Sequence, residues 1–262
     1  MSPIGSPTHS RTSAWPDGSF GPASRAAASG RTFLGVSPVL FFVIAVLVVG
    51  VFAYVSWLQA KKRRELFHQF ALSQGWTWVA RDDSWSRRFS GTPFDEGDHQ
   101  EAANVLQGQF RGRPMVAFDY SYETHTTDSR GNRSTTTHRY AFCSLGLPDQ
   151  VPQLELAPES VFGRLGTALG MQDIELESED FNRRYRVRCN NPKFASDVLP
   201  PRTMEALMRR TALHLRLAGQ DAMCWESGRH SPAELLARLD ALAILIDGIP
   251  AFVWNDLKGT SS

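Results

Sequence analysis

An uncharged run of 29 residues, 32–60, ends abruptly at Lys61, Lys62, Arg63 and Arg64, and it constrains this chain more than any other feature. Its centre, residues 39–58, is 20 residues long and almost wholly apolar (VLFFVIAVLVVGVFAYVSWL). As a helix rising 1.5 Å per residue it spans roughly 30 Å, the thickness of a bilayer's hydrocarbon core. A buried core helix rarely stays uncharged over that length. A cleaved signal peptide has a shorter apolar region closed by small residues in A-x-A spacing, whereas Leu58-Gln59-Ala60 puts a large residue at the upstream position. Tyr54 and Trp57 stand near the end of the run, where aromatic rings favour the headgroup layer. The segment is therefore expected to be an uncleaved transmembrane anchor.

Flanking charge sets the expected orientation. Arg25 and Arg31 precede the run, against the four cations Lys61, Lys62, Arg63 and Arg64 after it, which predicts the C-terminal side in the cytoplasm at the plasma (inner) membrane. Those four cations are the candidate membrane-surface contacts, each drawn to anionic headgroups by on the order of 1 kcal/mol. The tail 1–31 is rich in Ser, Pro, Gly and Ala and is expected to be disordered, because it has too little apolar surface to offset chain entropy.

Beyond the apolar run the chain is polar enough to fold in water. It is formally +1 overall; its first 59 residues hold three Arg and one Asp, leaving 25 basic against 26 acidic residues in the remainder. That balance argues against nucleic acid as a partner, since neutralising phosphates needs a basic excess. Cys143, Cys189 and Cys224 are odd in number and widely spaced, so they read as buried free thiols, with one pair plus one free thiol as the alternative.

Hydrophobic periodicity divides residues 61–254 into strands and helices without regular alternation, which predicts an α+β domain with a mainly antiparallel sheet and packed helices, ahead of a flexible tail 255–262. Residues 61–74 read as an amphipathic helix with Leu66, Phe67, Phe70 and Ala71 inward and Gly75 as its cap. Strands are expected at 76–80, 105–110 and 114–122. In the last of these Val116, Phe118, Tyr120 and Tyr122 share one face, with Asp119 and Ser121 on the other. Residues 140–147 alternate again. Further strands are expected at 153–156, 173–176 and 181–189, a short helical piece at 160–169, and a hairpin from 213–217 and 221–226. Helices are expected after Asn191-Pro192, over 203–210, and from the capping box Ser231-Pro-Ala-Glu234, with Leu235, Leu236, Leu239, Leu242 and Ile246 inward.

Between two strands lies ETHTTDSRGNRSTTTH, residues 123–138. It is either an unstructured loop or, as its Thr content and central Arg130-Gly131 suggest, a polar hairpin arm in which Thr126 faces Thr135 and Tyr120 faces Ala141. A polar arm with no core beneath it is a plausible contact element for a protein partner.

No catalytic constellation stands out. The seven histidines show neither H-x-H nor H-x-x-x-H spacing and no C-x-x-C exists, so no metal ligands are assigned. His125 and His138 would approach each other across the arm on offset pairs. Phosphate-binding glycine loops and G-x-S-x-G are absent, so no cofactor is expected. The carboxylates of Glu175, Glu177, Glu179 and Asp180 read as partners for Arg183, Arg184, Arg186 and Arg188.

Residues 174–187 (IELESEDFNRRYRV), 191–200 (NPKFASDVLP) and 202–207 (RTMEAL) resemble a bacterial family of membrane-anchored proteins of unknown function. Residues 111–122 (RGRPMVAFDYSY) and 138–148 (HRYAFCSLGLP) resemble its actinobacterial members. The resemblance covers roughly 61–254; it implies an α+β fold and a membrane location, and it brings no catalytic residue. The leading expectation is a single-pass membrane protein displaying a non-enzymatic interaction module. The alternative is a membrane-tethered enzyme whose site gathers Asp119, Glu123, His125 and His138.

Overall fold

A computed structural model describes residues 38–159 and 171–260. The chain divides into two units, Met1–Ala53 and Tyr54–Ser262. The described part of the first is the exposed, apolar start of helix α1 (Pro38–Gln74), which is long and apolar enough to cross a membrane. The expected tail 1–31 and helical piece 160–169 lie outside the described residues.

Helix α1 runs for 37 residues as one element that takes in the later part of the expected anchor and the amphipathic stretch expected directly after it. From 51 onward nothing interrupts it: the basic cluster and the stretch after it are good helix formers with neither Pro nor Gly. It stops at Gly75, whose φ of +69° is the left-handed cap expected of it. The Trp76 N–H reaches back to the Ala71 carbonyl at 2.8 Å and the Gly75 N–H to Leu72 at 3.2 Å, the paired bonds of a Schellman motif. Phe67 and Ala71 are buried on the inward stripe, while Leu66, expected beside them, is 49% exposed.

Among the described residues seven antiparallel strands follow: β1 (Thr77–Arg81), β2 (Asp98–Phe110), β3 (Arg113–Thr127), β4 (Arg133–Pro158), β5 (Gln172–Ile174), β6 (Tyr185–Cys189) and β7 (His214–Ser227). The sheet runs β1-β2-β3-β4-β6-β5, and β7 also pairs with β4. Strand β4 is the spine. Its first half lies between β3 and β7, its second between β7 and β6. The predicted 140–147 and 153–156 strands are thus one strand with a register break at Gly146–Leu154. The hairpin predicted over 213–226 is likewise one strand. Gly219, at φ +58°, bends β7 to follow β4 where a turn was expected.

Two further expectations change. Residues 181–189 open as helix α2 (Glu179–Arg184) before entering β6. The Ser178 hydroxyl accepts from the Phe181 N–H, and Glu179 and Asp180 begin the helix that Arg183 and Arg184 end, each sign where the helix dipole favours it. The cross-strand charge pairing therefore runs from Asp173 to Arg186 and Arg188, while Arg183 pairs within α2 with Glu179 and Asp180. At the other end, the tail expected from 255 is helical as far as Thr260, in α6 (Ala251–Thr260).

The remaining helices form where they were expected. Asn191 caps α3 (Pro192–Val198), Pro200 precedes α4 (Pro201–Met208), and both bonds of the Ser231–Glu234 capping box open α5 (Pro232–Asp247). Helix α4 starts two residues earlier than its expected 203–210 because Pro201 takes its first position. On one sheet face Met115, Ala117, Cys143 and Leu145 pack with Phe67 of α1 and with Leu235, Leu239, Leu242 and Ile246 of α5; Leu236 is only partly buried. On the other, Val116, Phe118, Tyr120, Tyr122 and Phe142 form an aromatic core with Phe89, Phe94 and Trp225. All three cysteines are buried free thiols.

Candidate functional site

Alternation along β3 puts Asp119, Ser121 and Glu123 in phase with Met115 and Ala117, on the face that α1 covers. The pairing of β2 with β3 is irregular between Asp98 and Glu101 and again between Ala103 and Leu106. His99 and Asn104 sit at these breaks with φ of 52° and 50°. Such bulges re-aim side chains, and Asn is among the residues that tolerate the left-handed region. The result is a polar cleft of about 300 Å³ whose walls include Arg63 and Arg64 of α1, Asn104 of β2, Asp119 and Glu123 of β3, and Arg139 of β4.

Asp119 anchors the floor. Its carboxylate accepts from Arg63 Nη2 at 2.9 and 3.2 Å, from Asn104 Nδ2 at 2.9 Å and from the His230 backbone N–H at 3.0 Å. The same Arg63 Nη2 donates to the His230 carbonyl at 2.6 Å. The His230 ring is buried, and its tautomer follows from its partners. Nε2 lies 2.7 Å from the Phe142 carbonyl, which only accepts, so Nε2 carries the proton. Nδ1 lies 3.2 Å from Arg238 Nη1, which only donates, so Nδ1 is bare. Arg238 closes the chain on Glu226 Oε2 at 2.7 Å. Six side chains, from α1, β2, β3, the turn before α5, α5 itself and β7, are thus joined through one largely buried polar network.

Burial, with help from the Arg238 and Arg63 charges and against the pull of Asp119, pushes the His230 pKa from 6.5 down to about 4. His214, on the opposite face, is lowered as well, again chiefly by burial. The folded protein therefore leaves His230 neutral at pH values where the unfolded chain protonates it. Its stabilising contribution is complete above about pH 6.5 and is lost as pH falls toward 4. Between pH 7 and 5, His230 alone should cost about 2 kcal/mol, a fall of roughly 4–8 °C in the thermal midpoint. A His230→Asn variant should start less stable but show a visibly flatter pH profile by calorimetry; an unchanged slope would remove His230 as its source.

The four candidate residues of the enzyme reading do not converge. Asp119 and Glu123 line the cleft. His125 stands with Glu123 and His99. His138 is on the opposite face, where its ring stacks on Tyr122 at 4.7 Å and its Nε2 lies 3.0 Å from Thr124 Oγ1. The Asp119 partners Asn104, His230 and Arg63 were not expected there. Of the basic cluster, Lys61, Lys62 and Arg64 are exposed, while Arg63 turns inward to Asp119, so it is a structural cation and not a free surface charge.

The arm exists as a two-stranded extension. Pairing of β2 with β3 stops at Asp98–Glu123, and beyond it β3 and β4 pair only with each other, from Thr124–Thr136 to Thr127–Arg133. Thr126 faces Ser134 and Tyr120 faces Tyr140, one residue away from the expected register. The cause is the turn. Asp128 closes a three-residue loop: its N–H bonds the Asn132 carbonyl, and its carboxylate accepts from the Arg130 and Asn132 N–H groups at 2.9 and 2.8 Å. Gly131 takes the left-handed position at φ +83°, whereas the expected pairs imply a two-residue turn at Arg130-Gly131.

The aromatic face carries a second buried network. Glu155 Oε1 lies 2.7 Å from His214 Nε2 and 3.2 Å from Arg216 Nη2. Arg216 also donates to the carbonyls of Ser90 and Thr92, tying down the 82–97 loop, and lies 4.5 Å above the Trp225 ring.

No family model and no curated protein matches the chain. Among solved structures, the crystal structure of the mycobacterial trehalose monomycolate transport factor A, TtfA, is similar with a TM-score of 0.54 at 13% sequence identity, over 71% of this chain and 96% of that one. At that identity the likeness is one of fold: the α+β arrangement of an antiparallel sheet with packed helices is shared with a mycobacterial protein named as a transport factor.

Proposed function

We propose that this chain is a single-pass membrane protein whose α+β domain is a non-enzymatic interaction module at the membrane surface, accessory to a membrane-associated process such as transport. The observation that carries this reading is how the polar groups are used. Asp119, the most buried carboxylate of the cleft, already accepts from three separate groups, and its nearest imidazole, His230, has both nitrogens engaged. A general base needs a free lone pair within reach of its substrate, and this carboxylate is occupied with joining α1 to the sheet. The residues left to meet a partner are those of the arm, exposed from 125 to 137.

Lys61, Lys62 and Arg64 are the cations that would contact lipid. Arg63, although turned inward in the folded domain, still counts toward the positive-inside bias, which acts while the segment inserts. The orientation proposed is therefore cytoplasmic. The fold likeness to a transport factor supports an accessory role for such a module; the cargo named for that protein is not carried over at 13% identity.

The test combines topology with the arm. C-terminal fusions to a fluorescent protein and to alkaline phosphatase should give fluorescence without phosphatase activity. Replacing residues 126–134 by Asn-Gly, a two-residue hairpin turn, should leave the thermal midpoint and membrane fractionation unchanged. It should remove the adducts formed in cells by a photo-crosslinking residue at position 136. Adducts that persist without the arm would dismiss it as the contact element, and a defined turnover retained by the purified chain would dismiss the non-enzymatic reading.

A further inference from the structure

We propose that His99, Glu123 and His125 form a zinc-type divalent metal site at the base of the arm. One ligand atom from each lies within 4.8 Å of the other two. Two imidazoles and a carboxylate are a donor set that suits Zn²⁺ with one coordination position left over. In a tetrahedral site with bonds near 2 Å, neighbouring ligand atoms stand about 3.3 Å apart. The ligand atoms would have to close from within 4.8 Å toward that spacing, and the His99 side chain, 73% exposed, has room to move.

Three details favour a ligand set over a chance surface ion pair. His99 Nδ1 is 3.5 Å from Glu123 Oε2, although the two come from different strands. The His99 and His125 rings meet edge to face, 6.3 Å apart at 89°, and do not stack. His125 Nδ1 is held by its cross-strand neighbour Thr135 at 3.0 Å, leaving Nε2 for a metal. An imidazole oriented through its second nitrogen is the usual outer support of a metal-bound histidine. The spacing rules of a local zinc motif miss such a site because its ligands lie 24 residues apart on two strands.

The place of the cluster gives it a consequence. Glu123 belongs to the last β2–β3 pair, and His125 is already on the free arm. A metal held by all three would tie the start of β2 to the arm and restrain it before any partner arrives, which lowers the ordering cost of binding. The site does not depend on the arm being a docking element. Because His99 and Glu123 also line the polar cleft, the fourth position would be open to water or to a group entering there.

The full chain, without a polyhistidine tag and in lipid nanodiscs, would be titrated with Zn²⁺ and with Co²⁺, whose visible absorption reports coordination. The expected result is one saturable equivalent, weakened at least about tenfold by His99→Ala and by His125→Ala. His138→Ala should leave binding unchanged. Zn²⁺ should also slow trypsin cleavage at Arg130 and Arg133 in the unmodified chain and not in His99→Ala. No saturable equivalent, or an affinity indifferent to both variants while their thermal midpoints match the parent, overturns the site. Binding lost in the variants with cleavage unaltered by metal would overturn the restraint of the arm.

Discussion

Replacing Asp119 with Ala should lower the thermal midpoint of the full chain by about 6–12 °C, equivalent to about 3 kcal/mol. The carboxylate is nearly buried and holds three donors from three elements. Without it the Arg63 guanidinium keeps its charge in a pocket where its side chain is only 26% exposed. Breaking a buried pair by removing one partner costs about 3–5 kcal/mol, and the residual solvent access of Arg63 puts this case at the lower end. An Arg63→Met, Asp119→Ala double variant should be less impaired than the two single effects added together, with a coupling of at least about 1 kcal/mol. Since Arg63 also lies 4.7 Å above the Phe67 ring, Asp119→Ala should expose the basic cluster to trypsin earlier than in the parent chain. A midpoint within about 2 °C of the parent, against the ~2–4 °C expected per kcal/mol, would show that α1 is held by its apolar stripe alone.

Part of this network was legible in the sequence. Asp119 alternates in phase with Met115 and Ala117, and a carboxylate in phase with core residues requires a cation. Arg63 stands at i−4 and i−8 from Phe67 and Ala71, on the same inward helical stripe. Helical phase alone could have drawn it out of the membrane-surface set. His230 and Asn104 could not be found that way. One is placed by the turn between Gly228 and Ser231, the other by a bulge, and neither has a periodic signature. The same division runs through the fold. Strong local chemistry was readable: the Gly75 cap, the Asn191 cap, the Ser231 box and the two faces of β3. What failed were decisions made by long-range pairing. Nothing local distinguishes a glycine that turns a chain from Gly219, which only bends β7 along β4. The arm's register was missed by one residue because Asp128 reaches across to Asn132, a side-chain contact that a two-residue reading of Arg130-Gly131 leaves out. At 181–189 the alternating pattern competed with the Ser178-Glu179-Asp180 start signal, and for the first turn and a half the cap won.

On the aromatic face, Arg216→Met should be the most damaging single change, costing about 4 kcal/mol or roughly 8–16 °C. The Arg216 side chain is 5% exposed and supplies three things: the charge opposite Glu155, the donors that hold Ser90 and Thr92, and a flat cation over Trp225. Met keeps the apolar stem and loses all three. Burial raises the Glu155 carboxyl, but the His214 hydrogen bond and the Arg216 charge more than offset it, so its pKa is lowered. The pair thus contributes its full stabilisation above the ordinary glutamate range near 4.5 and loses it as pH falls below. In Arg216→Met the burial effect prevails and Glu155 takes up a proton at a higher pH, which relieves the unpaired charge. The deficit of the variant should therefore be largest at pH 7 and should narrow toward about pH 4. Adding Glu155→Gln should recover at least about half of it, because a neutral amide oxygen still accepts from His214 while no charge is left buried. If the double variant is no more stable than Arg216→Met, the loss lies in the freed carbonyls of Ser90 and Thr92. Arg216 then acts as a clasp on the 82–97 loop, and early proteolysis within that loop at neutral pH would be its signature.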